Sequence, residues 1–186
     1  MKKVLFVGVL LNLLLCSTIN AQKWGITTNA LYWATSTPNI GVEYAFHSRM
    51  SLAASASYNP FTFGNNHKLK HVLGQIEYRY WLNSSFKGHF FGVHAQGGVF
   101  NFSGLPLTNT MRDYRFEGNA YGGGFTYGYQ WTINQRFRIG AEIGLGYLYL
   151  DYDKFYCPTC GERIDHYRNN YLGPTKAAVS LVYLLK

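Results

Sequence analysis

Charge is scarce in this 186-residue chain. Asp, Glu, Lys and Arg make up 14% of it, against about 25% in an ordinary soluble domain. Three cysteines and five prolines exclude a disulfide-dense scaffold and a proline-rich stalk. After the first fifteen residues no apolar run reaches the length of a membrane-spanning helix. No low-complexity tract divides the chain, so a tethered second domain is not expected. Short catalytic motifs are missing as well. There is no Gly-x-Ser-x-Gly elbow for a hydrolytic serine and no glycine-rich phosphate loop opening a helix. The run Gly122-Gly123-Gly124 falls inside a strand pattern.

The N-terminus carries an export signal. Met1-Lys2-Lys3 is positive, Val4 to Leu15 is apolar apart from Gly8 and Asn12, and small residues lead to Ala21. This is the pattern of a secretory signal peptide over residues 1–21, with 22–186 as one exported domain. Lipidation of Cys16 is disfavoured, because Leu15 stands where a small residue is required. The remainder is net basic and keeps Cys157 and Cys160. For an exported chain this charge suits anionic lipid head groups, and no nucleic-acid partner is expected.

Aromatics and glycine are abundant: 16 Tyr, 13 Phe, 4 Trp and 20 Gly. They alternate. Ile139, Ala141, Ile143, Leu145, Tyr147 and Tyr149 fall on one face of a strand, and Arg138, Gly140, Glu142, Gly144, Gly146 and Leu148 on the other. Ile40, Val42, Tyr44 and Phe46 likewise oppose Gly41, Glu43 and Ala45. A period of two means β-strand. Eight strands are expected, over 24–35, 39–46, 49–58, 70–82, 89–101, 119–131, 136–150 and 171–185. Connections that alternate between short and long, with an even strand number, are those of an outer-membrane barrel.

Volume orients the faces. The interior of an eight-stranded barrel is just wide enough to be filled by side chains. The aromatic faces are too bulky to converge there, whereas the Gly, Ser, Thr, Glu and Arg faces fit. The expected fold is therefore all-β, an eight-stranded antiparallel up-and-down transmembrane β-barrel in the bacterial outer membrane. A soluble lipocalin-like barrel, with the faces inverted, is the alternative. Tyr80, Trp81, Phe90, Phe91, Tyr129 and Trp131 near the short turns, and Tyr147 and Tyr149 near a long loop, make the expected interfacial girdles.

Seven residues form the candidate lumen network: Glu43, Glu77, Arg79, His94, Arg138, Glu142 and Lys176, with Gln96 beside them. Charges inside so narrow a barrel must pair with one another. A plug is thus favoured over a channel or proton path. Ser, His and Glu are present, but no spacing singles out a catalytic triad, so no enzyme, cofactor or resident metal is expected. The basic run His67, Lys68, Lys70 and His71 is a solvated loop or a contact for lipopolysaccharide phosphates. In "CPTCGERIDH" (157–166) a local disulfide between Cys157 and Cys160 is the simplest state for exported thiols. Zinc would need His166 and a fourth ligand such as His67 or His71. A redox role would need a low-pKa thiolate, usually at a helix start.

Several segments carry a resemblance. They are "TTNALYWATSTPNIGVE" (27–43), "YNPFTF" (58–63), "IEYRYW" (76–81), "GHFFGVHAQGG" (88–98), "YGGGFTYGYQW" (121–131), "GYLYLDYDKFYCPTCG" (146–161) and "YLGPTKAAVSL" (171–181). In these the chain resembles a family of small, functionally uncharacterised outer-membrane proteins of Bacteroides-type bacteria. The resemblance implies an outer-membrane barrel and, from the gene neighbourhoods of such proteins, an association with surface fimbriae. It implies no catalytic residues. The expected function is a non-enzymatic barrel whose external loops contact a surface or fimbrial protein. A lipid-modifying enzyme and a narrow gated pore are the alternatives.

Overall fold

An extended backbone must find its hydrogen-bond partners in neighbouring strands, and a ring of strands leaves no edge unpaired. The computed structural model describes residues 23–63, 67–104, 114–156 and 161–185. The expected signal segment and the pair Cys157 and Cys160 lie outside the described residues. The strands are β1 (Trp24–Asn29), β2 (Asn39–His47), β3 (Met50–Asn59), β4 (Thr62–Phe63), β5 (His67–Trp81), β6 (Gly88–Ser103), β7 (Arg115–Thr132), β8 (Phe137–Phe155) and β9 (Arg163–Leu185), with one helix, α1 (Ala30–Ala34). Eight of them form the ring β1-β2-β3-β5-β6-β7-β8-β9, every pair antiparallel, and β9 returns to β1. The two-residue β4 only extends the end of β5. This is the expected eight-stranded up-and-down barrel.

Three expected spans are corrected. The strand expected over 24–35 stops at Asn29, whose Oδ1 accepts from the Leu31 N–H at 3.0 Å and caps α1. Of the stretches 102–118 and 151–170, expected to be loops, residues 102–103, 115–118, 151–155 and 163–170 are strand. Asn119 pairs with Asp151, and Asp151 with Arg168. The wall is therefore uneven, tall over β6 to β9 and short over β1 to β3.

The faces are inverted relative to a soluble domain, as the volume argument requires. Phe125, Ile143 and Leu145 lie outside, with Phe125 74% exposed, whereas Glu43 is 0% exposed. Two expected girdle residues are exceptions. Trp81 and Phe90 point inward and are buried, as is Phe86 from the β5–β6 turn. Phe86 has φ 65°, a left-handed conformation that costs a non-glycine residue about 1–2 kcal/mol. It turns the ring into the barrel end beside Val182, Leu184 and Ala45. The rings of Trp81 and Phe90 lie 4.7 Å apart. Trp81 has the same parity as Arg79, and Phe90 the same as His94, so periodicity alone places both inside.

β9 carries a bulge. Gly144 pairs with Lys176 but Leu145 pairs with Pro174, which leaves Thr175 as an extra residue. Proline is tolerated at such a place because a ladder hydrogen bond is lost there anyway. The bulge lets two consecutive residues, Thr175 and Lys176, both reach inward.

Candidate functional site

The centre of the lumen is built from β2, β5, β8 and β9. Arg79 is its hub. Its Nη1 donates to Glu43 Oε2 at 2.8 Å, its Nε to Glu77 Oε2 at 2.7 Å and its Nη2 to Glu142 Oε2 at 2.8 Å. Lys176 Nζ completes the set, at 2.8 Å from Glu77 Oε2 and 3.0 Å from Glu142 Oε1. A planar guanidinium can serve several carboxylates at once from fixed directions, which an ammonium cannot. All five side chains are shielded from solvent, none more than 11% exposed.

The network rests on the aromatic end of the barrel. Trp81 Nε1 donates to Ser51 Oγ at 2.8 Å, and Ser51 Oγ donates to Glu43 Oε1 at 2.5 Å. The Arg79 guanidinium also stands 4.7 Å over the Phe90 ring, a cation–π contact. On the other flank His94 is held between two threonines, Thr126 Oγ1 at Nδ1 and Thr175 Oγ1 at Nε2, each 2.9 Å away. Gln96 Nε2 donates to the Thr175 carbonyl at 3.1 Å.

Five of the seven expected residues therefore meet: Glu43, Glu77, Arg79, Glu142 and Lys176. His94 lies against them but is held by hydroxyls rather than by a charge. Arg138 is a correction. It faces inward but sits beside the β7–β8 turn, where Nη1 donates to the carbonyls of Asn134 and Phe137. Ser51, Trp81, Thr126 and Thr175 belong to the site and were not expected there. Parity along the strands is the signal that identifies Ser51, Trp81 and Thr126, whereas Thr175 reaches inward only through the bulge beside Lys176.

Tyr32 of α1 lines the lumen above the network. With Asn29, Ser57, Gln75, Glu77 and Lys176 it encloses a polar cavity of about 60 Å³, room for a few waters. Among the described residues Ser57 Oγ and Gln75 Nε2 have no protein partner, and water would serve both. Above this level the inward side chains of β5 to β8 turn apolar, with Leu73, Phe100, Leu148 and Leu150. The expectation of a small and polar lumen holds only for its inner part, where Glu and Arg were legible as charges among glycines.

Outside the lumen, His166 is held by the carboxylates of Asp151 and Asp153 at 3.1 and 2.9 Å. His89 Nδ1 meets Tyr127 OH at 2.8 Å on the outer face. Among the described residues no cluster of His, Cys, Asp and Glu is arranged to hold a metal ion. The side chain of His67 lies outside those described.

A closed antiparallel ring of eight strands around a salt-bridged core defines a small up-and-down barrel. A model of the family "Protein of unknown function (DUF3575)" matches residues 7–185, and the chain belongs to that family. No curated protein and no solved structure matches the chain.

Proposed function

We propose that the barrel is an integral, non-enzymatic protein of the bacterial outer membrane, and that its tall β6–β9 wall and the loops above it contact a partner at the cell surface. The outward face carries this reading. In β7 the outward row Tyr121, Phe125, Tyr127 and Trp131 spans 11 residues and gives way above to Asn119 and Glu117. A tilted strand of about 9–11 residues crosses a bilayer, and an apolar band edged by aromatics and then by charges fits the lipid boundary. The signal-like N-terminus supports export. A soluble chain would not leave Phe125, Leu145 and Leu172 uncovered together.

The non-enzymatic part rests on the lumen, where five charged groups are engaged with one another. Lys68 and Lys70, near the outer end of β5, are the proposed contacts for lipopolysaccharide phosphates. A role in fimbria assembly or envelope organisation comes from the sequence resemblance alone. The decisive experiment is purification in detergent followed by electrophoresis with and without boiling. The folded barrel should run at a different position from the boiled chain. A protein that stays monodisperse with no detergent at all would overturn the membrane reading. Cross-linking in intact cells then identifies the partner, and recovery of no surface protein would remove the partner clause.

A further inference from the structure

The outer part of the lumen holds a second cavity, unlike the polar one. It measures about 420 Å³ and is lined almost wholly by apolar groups, among them Leu73, Phe100, Phe102, Phe116, Leu148 and Leu150. The polar side chains on its lining are His71 and Tyr152. His71 Nδ1 is 3.0 Å from the Leu69 carbonyl, and Tyr152 OH accepts from Asn169 at 2.7 Å. Among the described residues no charged side chain lines it. Volume and lining are those of a site for an apolar ligand.

Its mouth has a direction. Every lining residue belongs to β5, β6, β7 or β8. On the opposite side the wall is low, because β2 starts at Asn39 and β3 ends at Asn59. β9 pairs with β1 only from Ser180 to Leu185. Asn29 extends that seam by one step, accepting from the Val179 N–H at 3.2 Å and donating to the Ala177 carbonyl at 3.3 Å. Beyond Ala177 the β1-side edge of β9 has no strand partner among the described residues. The ladder therefore carries a notch above Ala177, next to α1, which itself packs against β9. The notch lies beside Leu172, which is 84% exposed on the outer face, at the height where the outward apolar belt ends.

We propose that this cavity takes one hydrocarbon chain of a membrane lipid, which enters sideways from the outer leaflet through the notch above Ala177. The proposal rests on the membrane reading above. Apolar lining, an opening in the wall and the level of that opening all point to the bilayer as the source. The polar cavity and the Arg79 network below, next to Tyr32, form a floor that stops the chain from going deeper. Gly98, on the inward face, lines the cavity without a side chain to fill it.

The test uses the full exported chain in nanodiscs of dimyristoyl phosphatidylcholine doped with a phosphatidylcholine that carries a diazirine on one acyl chain. After illumination, adducts are mapped by peptide mass spectrometry. Adducts are expected at inward Phe100, Leu148 or Leu150 as well as at outward Phe125 and Ile143. Filling the cavity with Ala120→Trp, or independently Leu73→Trp, should lower the inward adducts about tenfold and leave the outward ones unchanged, which also shows that each variant is folded. Outward adducts alone, or inward adducts that both fillers leave unchanged, would overturn the proposal. Inward labelling by diazirine-bearing palmitic acid but not by the phospholipid would overturn its source. Failure to label Phe125 and Ile143 would sink the membrane reading itself, and the proposal with it.

Discussion

Arg79 and Glu43, 36 residues apart in the chain, meet at 2.8 Å inside the barrel, where Glu43 is fully buried. The pair joins β5 to β2 across β3, so it ties the ring together through its interior rather than along its wall. Removing the guanidinium leaves three carboxylates with Lys176 as the remaining cation of the network. Arg79→Met should destabilise the barrel by about 3–5 kcal/mol, read from urea unfolding in lipid vesicles. Adding Glu43→Gln should restore part of the loss, because the two sites share one network. Equal stability of wild type and Arg79→Met would mean that the network holds nothing together.

A filled lumen conducts poorly. From Trp81, Phe86 and Phe90 at one end to the five charged residues at the centre, the inner half is occupied by packed or paired groups. Purified protein in a planar bilayer should show no steady conductance steps. Reproducible single-channel steps from the wild-type chain would favour the gated-pore alternative.

Close approach of strands is the third point of test. A methyl group at Gly122 would sit 2.0 Å from the Tyr147 carbonyl oxygen, whereas at Gly74 the nearest atom, the Gly97 carbonyl oxygen, is 3.9 Å away. Gly122→Ala should cost about 1–3 kcal/mol, and Gly74→Ala should change stability by less than about 0.5 kcal/mol. Denaturant midpoints of the two variants, side by side, decide. If they coincide, the walls are not in contact at Gly122.

Much of this was legible beforehand because the part of each strand nearer the short turns alternates strongly. Tyr, Ile and Leu against Gly, Glu and Thr leave one solution for the faces. Above that part the alternation loses its contrast. Asp151, Asp153, Arg168 and Asn169 have polar groups on both sides, so nothing in the pattern distinguishes strand from loop, and the tall wall was missed. The segment Ala30–Ala34 continues the apolar and aromatic run of β1, yet Asn29 caps it into a helix. Trp81 and Phe90 were misplaced for a different reason. Their parity is that of the inward set and their bulk argues for the outside, but the barrel end has room for three rings. Arg138 had the right parity and the wrong height, because periodicity says nothing about how far along the strand a partner stands.

Asn29 does two jobs with one side chain. It caps α1 and it bonds to both Val179 and Ala177 on β9. Asn29→Ala should cost about 1 kcal/mol and speed hydrogen exchange at the Val179 amide more than at amides deep in β7. Uniform exchange changes across the barrel would show that the residue acts only through global stability.

The motif between β8 and β9 gives a chemical test. We propose that Cys157 and Cys160 are bridged in the exported protein. Alkylation without reductant, followed by intact-mass measurement, should add no label. Two labels per chain would refute the bridge, and stoichiometric zinc in the same preparation would favour the metal alternative.

The ring closes over six residue pairs, Trp24–Asn29 against Leu185–Ser180, whereas β7 and β8 are matched over 18. These are also the partners farthest apart along the chain. Contacts of such separation form late in folding, and a short stretch of ladder is where local opening starts. The seam is thus both the last part of the ring to zip and the first to come apart. How long one molecule stays closed is a matter of kinetics, governed by two paired stretches of six residues each rather than by the long hairpins between them.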